Sequence, residues 1–229
     1  MLDKQKISRL RKTIDPCQVC FLHQDRCICS QIPKLELKTK LSLIIHAKEL
    51  KRTTNTGRLA VQALVNSEML VRGIDREKLD LSSILSKDYE SVVLYPAADA
   101  IALSTLKPRK PIHLIVSDGN WRQANKINSR HPELQHLPRV KVTLIGPQEK
   151  TLGGSQDSQP QSQPVQRLRK EHVEGGLSTL EAIALAIAAI EGDEVGKVLM
   201  NLYRAKLSAT LIGRGIKPND FQSSQQNSP

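Results

Sequence analysis

The run Ser117-Asp118-Gly119-Asn120-Trp121-Arg122-Gln123-Ala124 follows directly on the apolar segment Ile112-His113-Leu114-Ile115-Val116 and holds the only tryptophan of the chain. An apolar strand that ends in Asp-Gly and passes at once into a helix lifts its polar side chains over the carboxyl edge of a sheet, where open α/β folds keep their ligands. A carboxylate there can take a proton as a general base or pair with an ammonium group. The structural alternative is a plain strand–turn–helix junction in which Asp118 caps and Trp121 fills core.

A second cluster is chemical in another way. All four cysteines fall in Cys17-Gln18-Val19-Cys20-Phe21-Leu22-His23-Gln24-Asp25-Arg26-Cys27-Ile28-Cys29, a C-x2-C-x6-C-x-C pattern. Four thiolates close a tetrahedral site, so zinc is the natural occupant and its role is structural, since no coordination position stays open. His23 is a spare ligand. Disulfides are the competing account, and they rarely persist in the reducing compartment expected of a chain whose start, Met1-Leu2-Asp3-Lys4-Gln5-Lys6, lacks an apolar leader. The expectation is a cytoplasmic protein, with no apolar run long enough to span a membrane.

The chain has 229 residues, enough for one domain with a real core and small attachments. Its 34 Lys plus Arg against 23 Asp plus Glu leave a net charge of +11, which points to a polyanionic partner more than to a small metabolite. Six aromatic residues (one Trp, three Tyr and two Phe) are too few to line a long base-stacking groove, so phosphate contacts must dominate any RNA binding.

The elements that position these groups alternate. Apolar runs at 41–46, 92–95, 112–116 and 140–145 read as buried strands, and 56–70 and 195–212 as helices with apolar faces. Ser178 and Glu181 form a capping box that opens a helix through the nearly all-apolar 182–190, and Asn120 caps the helix that starts at Trp121. The expected fold is α/β, a mostly parallel sheet with helices on both faces. Its divisions are a basic arm (1–14), a four-cysteine knuckle (15–33), a main domain (34–216) with a mobile loop insertion at 149–166, and a disordered tail (217–229). No G-x-G-x-x-G follows a strand and no P-loop is present, which argues against the commonest dinucleotide and nucleotide sites.

Taken in order, the cysteine cluster, Asn55-Thr56-Gly57-Arg58-Leu59-Ala60, Leu94-Tyr95-Pro96, the Asp-x-Asn-Trp turn, Arg167-Leu168-Arg169-Lys170 and Leu177-Ser178-Thr179-Leu180-Glu181-Ala182 resemble the DTW-domain family. Asn120 stands where that family usually has threonine, and both residues are good helix N-caps. The resemblance implies a SPOUT-like knotted fold and a tRNA-uridine aminocarboxypropyltransferase. Such an enzyme moves the 3-amino-3-carboxypropyl group of S-adenosylmethionine to uridine N3 and releases methylthioadenosine.

On this resemblance Asp118 is the catalytic residue. Thr56, Gly57, Tyr95, Pro96, Asn120, Trp121, Leu177, Ser178, Thr179 and Glu181 fall at the cofactor, and Arg122, Arg167 and Arg169 at the RNA. Cys17, Cys20, Cys27 and Cys29 hold the metal. Two other readings stand beside it, a SPOUT-type RNA methyltransferase and a non-catalytic zinc-containing RNA-binding module. The partner is tRNA in the first reading, and homo-oligomerisation stays open.

Overall fold

The structure, a computed structural model, describes residues 15–74, 79–142 and 176–216. Six strands, β1 (Lys40–His46), β2 (Ser67–Arg72), β3 (Glu90–Leu94), β4 (Ile101–Ala102), β5 (Ile112–Asp118) and β6 (Arg139–Lys141), form one sheet in the order β2-β1-β5-β3-β6-β4. Every pair is parallel, so all strands end at one edge. The middle strands β1 and β5 are buried on both sides, as the continuous apolar runs required.

Alternation along the strands assigns two cores. Leu41 and Leu43 of β1, Val92 and Leu94 of β3, and Ile112, Leu114 and Val116 of β5 face one layer of helices. That layer is α1 (Gly57–Ala63), α4 (Thr179–Glu191) and α5 (Asp193–Ile212). Ile44, Val93 and Ile115 face the other layer, built on α2 (Trp121–Arg130) and α3 (Pro132–Gln135). Helices on both faces of a parallel α/β sheet are thus the observed architecture. The α4–α5 hairpin packs closely because Gly196 has no side chain: a Cβ there would lie 2.4 Å from that of Ala188.

The cysteine knuckle is continuous with this core. Cys17, Cys20, Leu22 and Ile28 belong to the same buried cluster as Leu41, Leu59 and Leu199. Lys206 of α5 is fully buried beneath it and donates to the Cys20 carbonyl at 2.6 Å.

Two expectations need correction. The helix expected over 56–70 ends at Ala63; Ser67 donates to the carbonyls of Val61 and Leu64, which closes the helix, and the chain enters β2. β2 is one of the sheet's two edge strands and half-exposed throughout, so it lacks the apolar run that marks a central strand. The strand at 140–145 is observed as Arg139–Lys141, with residues beyond 142 outside the described range. The arm 1–14, the insertion 149–166 and the tail 217–229 also lie outside the described residues, as does the segment joining β6 to α4 through which a knot would be threaded.

Candidate active site at the carboxyl edge

Asp118 is the last residue of β5, and the two-residue period of the strand turns it to the same side as Val116 and Leu114, beneath the first turns of α1 and α4. It is 4% exposed. Its Oδ2 accepts from Asn55 Nδ2 at 2.5 Å and its Oδ1 from Thr179 Oγ1 at 2.6 Å. Gly57 lies against the carboxylate: a Cβ at this position would stand 2.8 Å from Oδ2 and 3.1 Å from Thr179 Cγ2. Glycine is required here for close approach, since Gly57 has no unusual φ.

The same few residues join the two helix starts. Thr56 does not cap its own helix; its hydroxyl accepts the Leu180 amide at 3.2 Å, an otherwise orphaned donor of α4. Ser178 and Glu181 complete the capping box, Glu181 N to Ser178 Oγ at 3.3 Å and Ser178 N to Glu181 Oε2 at 2.9 Å. Residues 55–57, 118 and 178–181 are therefore one hydrogen-bonded cluster assembled from three distant segments.

Trp121 and Tyr95 are placed differently. Asn120 caps α2 with the reciprocal bonds of a capping box, its Oδ1 accepting from Gln123 N at 2.9 Å and its amide donating to Gln123 Oε1 at 2.7 Å. Trp121, at the first position of the helix, is 51% exposed and does not fill core. It stacks on Tyr95 with ring centroids 5.4 Å apart and planes 17° from parallel. Tyr95 packs on the α2 side of the sheet, so this aromatic platform and the Asp118 cluster flank the carboxyl edge from opposite faces. Pro96, Asn120 and Arg122 are exposed, Leu177 is half-buried, and Arg167 and Arg169 lie outside the described residues.

Two residues at this cluster, Asn55 and Arg58, are given no role by the sequence reading. Asn55 orients the helix as well as the carboxylate, its Oδ1 accepting from Arg58 N at 3.3 Å. Arg58 is 8% exposed, with its guanidinium carbon 3.7 Å from the centre of the Phe21 ring and one Nη donating to the Leu50 carbonyl. Burial pulls its pKa down from the usual value, and attraction to Asp118 opposes that shift. Phe21 sits next to Cys20 with φ of 57°, the left-handed region that bulky residues occupy only when their surroundings hold them there. The knuckle thus reaches the Asp118 cluster through Phe21 and Arg58. The sequence clue was a charged residue beside Leu59 and Ala60 on a helix that must bury most of its faces.

The four sulfurs lie within 4.8 Å of one another, with Cys17 to Cys29 at 3.4 Å and Cys20 to Cys27 at 3.7 Å. Four sulfurs around one tetrahedral ion stand about 3.8 Å apart at ordinary zinc–sulfur lengths, so the donor set fits a metal ion. Backbone amides of Cys20 and Val19 bring the Cys17 thiol down to about 6, whereas burial and the adjoining sulfurs push Cys29 up. A cation among them would relieve that mutual opposition. His23 is turned away, its Nδ1 against the Asp25 carboxylate.

The outer surface of the edge is basic. Arg122, Lys126 and Arg130 are exposed on α2 at i, i+4 and i+8, and Lys48 and Lys51 are exposed in the turn after β1. Among the described residues no helix is long and apolar enough to cross a membrane.

A family model described as "DTW domain" matches residues 14–211. The chain is 26% identical over 183 residues to a Drosophila melanogaster protein named tRNA-uridine aminocarboxypropyltransferase 2, an alignment covering 76% of this chain and 66% of that protein. It is 24% identical over 229 residues to tRNA-uridine aminocarboxypropyltransferase A of Arabidopsis thaliana, covering 89% of this chain and 83% of the relative. No solved structure gives a significant match.

Proposed function

The chain belongs to the DTW-domain family, and from that premise we propose that it transfers the 3-amino-3-carboxypropyl group of S-adenosylmethionine to N3 of a uridine in tRNA. The observation that carries the reading is the Asp118 cluster, in which family-motif residues from three segments converge on one carboxylate at the carboxyl edge. Both named relatives supply the reaction class.

The reaction joins uridine N3 to the methylene on the methionine side of the sulfonium while the carbon–sulfur bond breaks. Sulfur keeps the electron pair, methylthioadenosine leaves, and the N3 proton is released. Transfer of this arm rather than of the methyl group depends on which carbon is held in line with N3. Asp118 is suited to holding it. With one oxygen engaged by Asn55 and the other by Thr179, the carboxylate is a fixed acceptor that can pair with the ammonium group of the arm.

Thr56, Gly57, Leu177, Ser178, Thr179 and Glu181 then form the wall at the methionine moiety. Tyr95, Pro96, Asn120 and Trp121 form the opposite wall, with the stacked rings offered to a nucleobase. Arg122, Arg167 and Arg169 are assigned to RNA phosphate. In the knuckle, Cys17, Cys20, Cys27 and Cys29 would hold zinc as a structural ion that ties the segment to the core. Cytoplasmic tRNA is the expected substrate pool.

The test is mass spectrometry of nucleosides from unmodified bulk tRNA incubated with the protein and S-adenosylmethionine, with the small by-product identified alongside. Aminocarboxypropyluridine and methylthioadenosine are expected. A methylated nucleoside with S-adenosylhomocysteine would replace the reading with methyl transfer, and an unmodified tRNA bound by folded, metal-loaded protein would replace it with an RNA-binding module.

A further inference from the structure

His46, at the end of β1, is a histidine of the carboxyl edge to which the proposed chemistry gives no role. Its Nδ1 accepts the Lys48 amide at 3.1 Å, which fixes the ring in the turn that follows the strand. Lys48 lies in that turn, Arg72 is the register partner of His46 at the end of β2, and Lys126 of α2, the helix whose end Arg72 reaches, adds its charge to theirs. Arg72 also reaches the buried His131, its Nε donating to Nε2 at 3.3 Å. The acid nearby is Glu49, which is buried and paired with Arg52. Lys126 belongs to the exposed series Arg122, Lys126, Arg130, whose members follow one another at about 6 Å along the helix axis. The convergence is between elements, so it is not the ordinary solvated face of a single helix.

We propose that the tRNA backbone docks along this track, from Arg122 and Lys126 on α2 across His46 to Lys48 and Arg72 at the β1–β2 side of the sheet. The inference rests on the reading that the substrate is tRNA and adds which side of the edge receives it. The track begins one residue from Trp121 and at the end of the strand paired with β5, where His46 follows Ile45, the register partner of Asp118. Phosphates held there bring the strand they belong to across the mouth of the proposed site, and phosphate contacts of this kind set register while leaving base choice to the platform. The β3–β6 side is differently made: its Arg139 is engaged with Asp99 at 2.5 Å.

His46 also reports on the track. Burial lowers its pKa first, then Arg72, Lys48 and Lys126, with Glu49 acting in the other direction. Phosphate placed among those cations offsets their repulsion of the imidazolium, so binding must move the His46 midpoint upward.

The experiment uses full-length, metal-loaded protein with histidine ring carbons labelled, titrated by NMR with and without unmodified bulk tRNA. Alongside it, tRNA affinity is measured across salt for wild type, Lys126→Gln, and Lys48→Gln with Lys126→Gln. Expected are a rise in the His46 midpoint on adding tRNA, a several-fold weaker tRNA Kd for each lysine removed, and a salt slope shallower by about one unit per residue. The altered side chains are exposed, so thermal stability is expected to hold. Unchanged affinity and slope in the double variant, with a His46 midpoint indifferent to tRNA, would overturn the proposal. Transfer to tRNA with those results would keep the reaction and remove the track; binding with those signatures but no transfer would keep the track and remove the reaction.

Discussion

Strand β5 carries a buried titratable group near each end, and the two are held in opposite ways. At the amino end His113, fully buried, sits in a ladder that runs straight across four strands. Ser91 Oγ is 3.2 Å from its Nδ1, Ser42 Oγ is 2.6 Å from its Nε2, Ser42 donates to Glu68 at 2.7 Å, and Glu68 pairs with Lys40 at 2.8 Å. One assignment satisfies the ladder: Ser91 donates to Nδ1, Nε2 donates to Ser42, and Ser42 donates to Glu68. At the carboxyl end Asp118 is clamped by residues from a loop and two helix starts. A ladder made of strand residues can serve the sheet alone. A carboxylate held by a loop and helix ends lies at the edge where open α/β sheets keep their ligands, which is why the proposed chemistry is centred on it.

The largest effect that separates the ends comes from the knuckle. The four sulfurs are placed to hold a metal ion; if they do, chelating it is expected to cost several kcal/mol, because metal binding in such a segment is part of folding. Phe21 and its neighbours support the layer of α1, α4 and α5. Amide exchange should therefore accelerate in α1 and in the first turn of α4, while the Ser42–His113 ladder stays protected. Equal loss at both ends would erase the distinction.

Acid should attack the other end. Burial, and secondarily Lys40, lower the His113 pKa from 6.5 to about 4. Between those values the unfolded chain takes up a proton that the folded protein refuses, so stability is full above about 6.5 and falls as pH drops toward 4. The loss attributable to His113 is on the order of 3 kcal/mol. Urea melts at pH 7 and pH 4.5 should show it in wild type and show less of it in His113→Gln.

Gly57→Ala reverses the emphasis. The added methyl must displace the Asp118 carboxylate or Thr179, so transfer should fall about 10- to 100-fold, equivalent to about 1.4–2.7 kcal/mol of transition-state stabilisation. The melting temperature should move by only a few degrees. The smallest expected effect is that of Trp121→Ala, which removes one half-exposed ring of the platform. Substrate binding should weaken by about 1 kcal/mol with stability unchanged, and Trp121→Phe should recover much of it.

The amino-end and carboxyl-end clusters were unequally legible in the chain. Strands β1, β3 and β5 declared themselves because they are buried on both sides and read as continuous apolar runs. β2 did not, since an edge strand that is half-exposed carries a mixed pattern, and Ser-Glu-Met-Leu-Val-Arg prolongs a helix as readily as it forms a strand. The Asn120 cap and the Ser178–Glu181 capping box were visible because such signals are local, and the structure adds the reciprocal Gln123 bond at Asn120. Thr56 misled for the same reason: local logic gave it to its own helix, and the fold gives its hydroxyl to α4. Asn55 acts on Asp118 and Phe21 on Arg58, partners far away along the chain. No local pattern encodes such a pairing. His113 read as one more strand residue because its partners, Ser42, Glu68 and Ser91, meet it only once register is set.

The most direct test follows the two ends of the sulfonium separately. S-adenosylmethionine labelled with carbon-14 in the carboxyl group and with tritium in the methyl group is incubated with unmodified tRNA and either wild-type protein or Asp118→Asn. The account predicts carbon-14 in tRNA and tritium in methylthioadenosine for wild type, with both transfers lost or reduced at least 100-fold in the variant while its fold persists. Tritium in tRNA, or equal carbon-14 incorporation by Asp118→Asn, would contradict it.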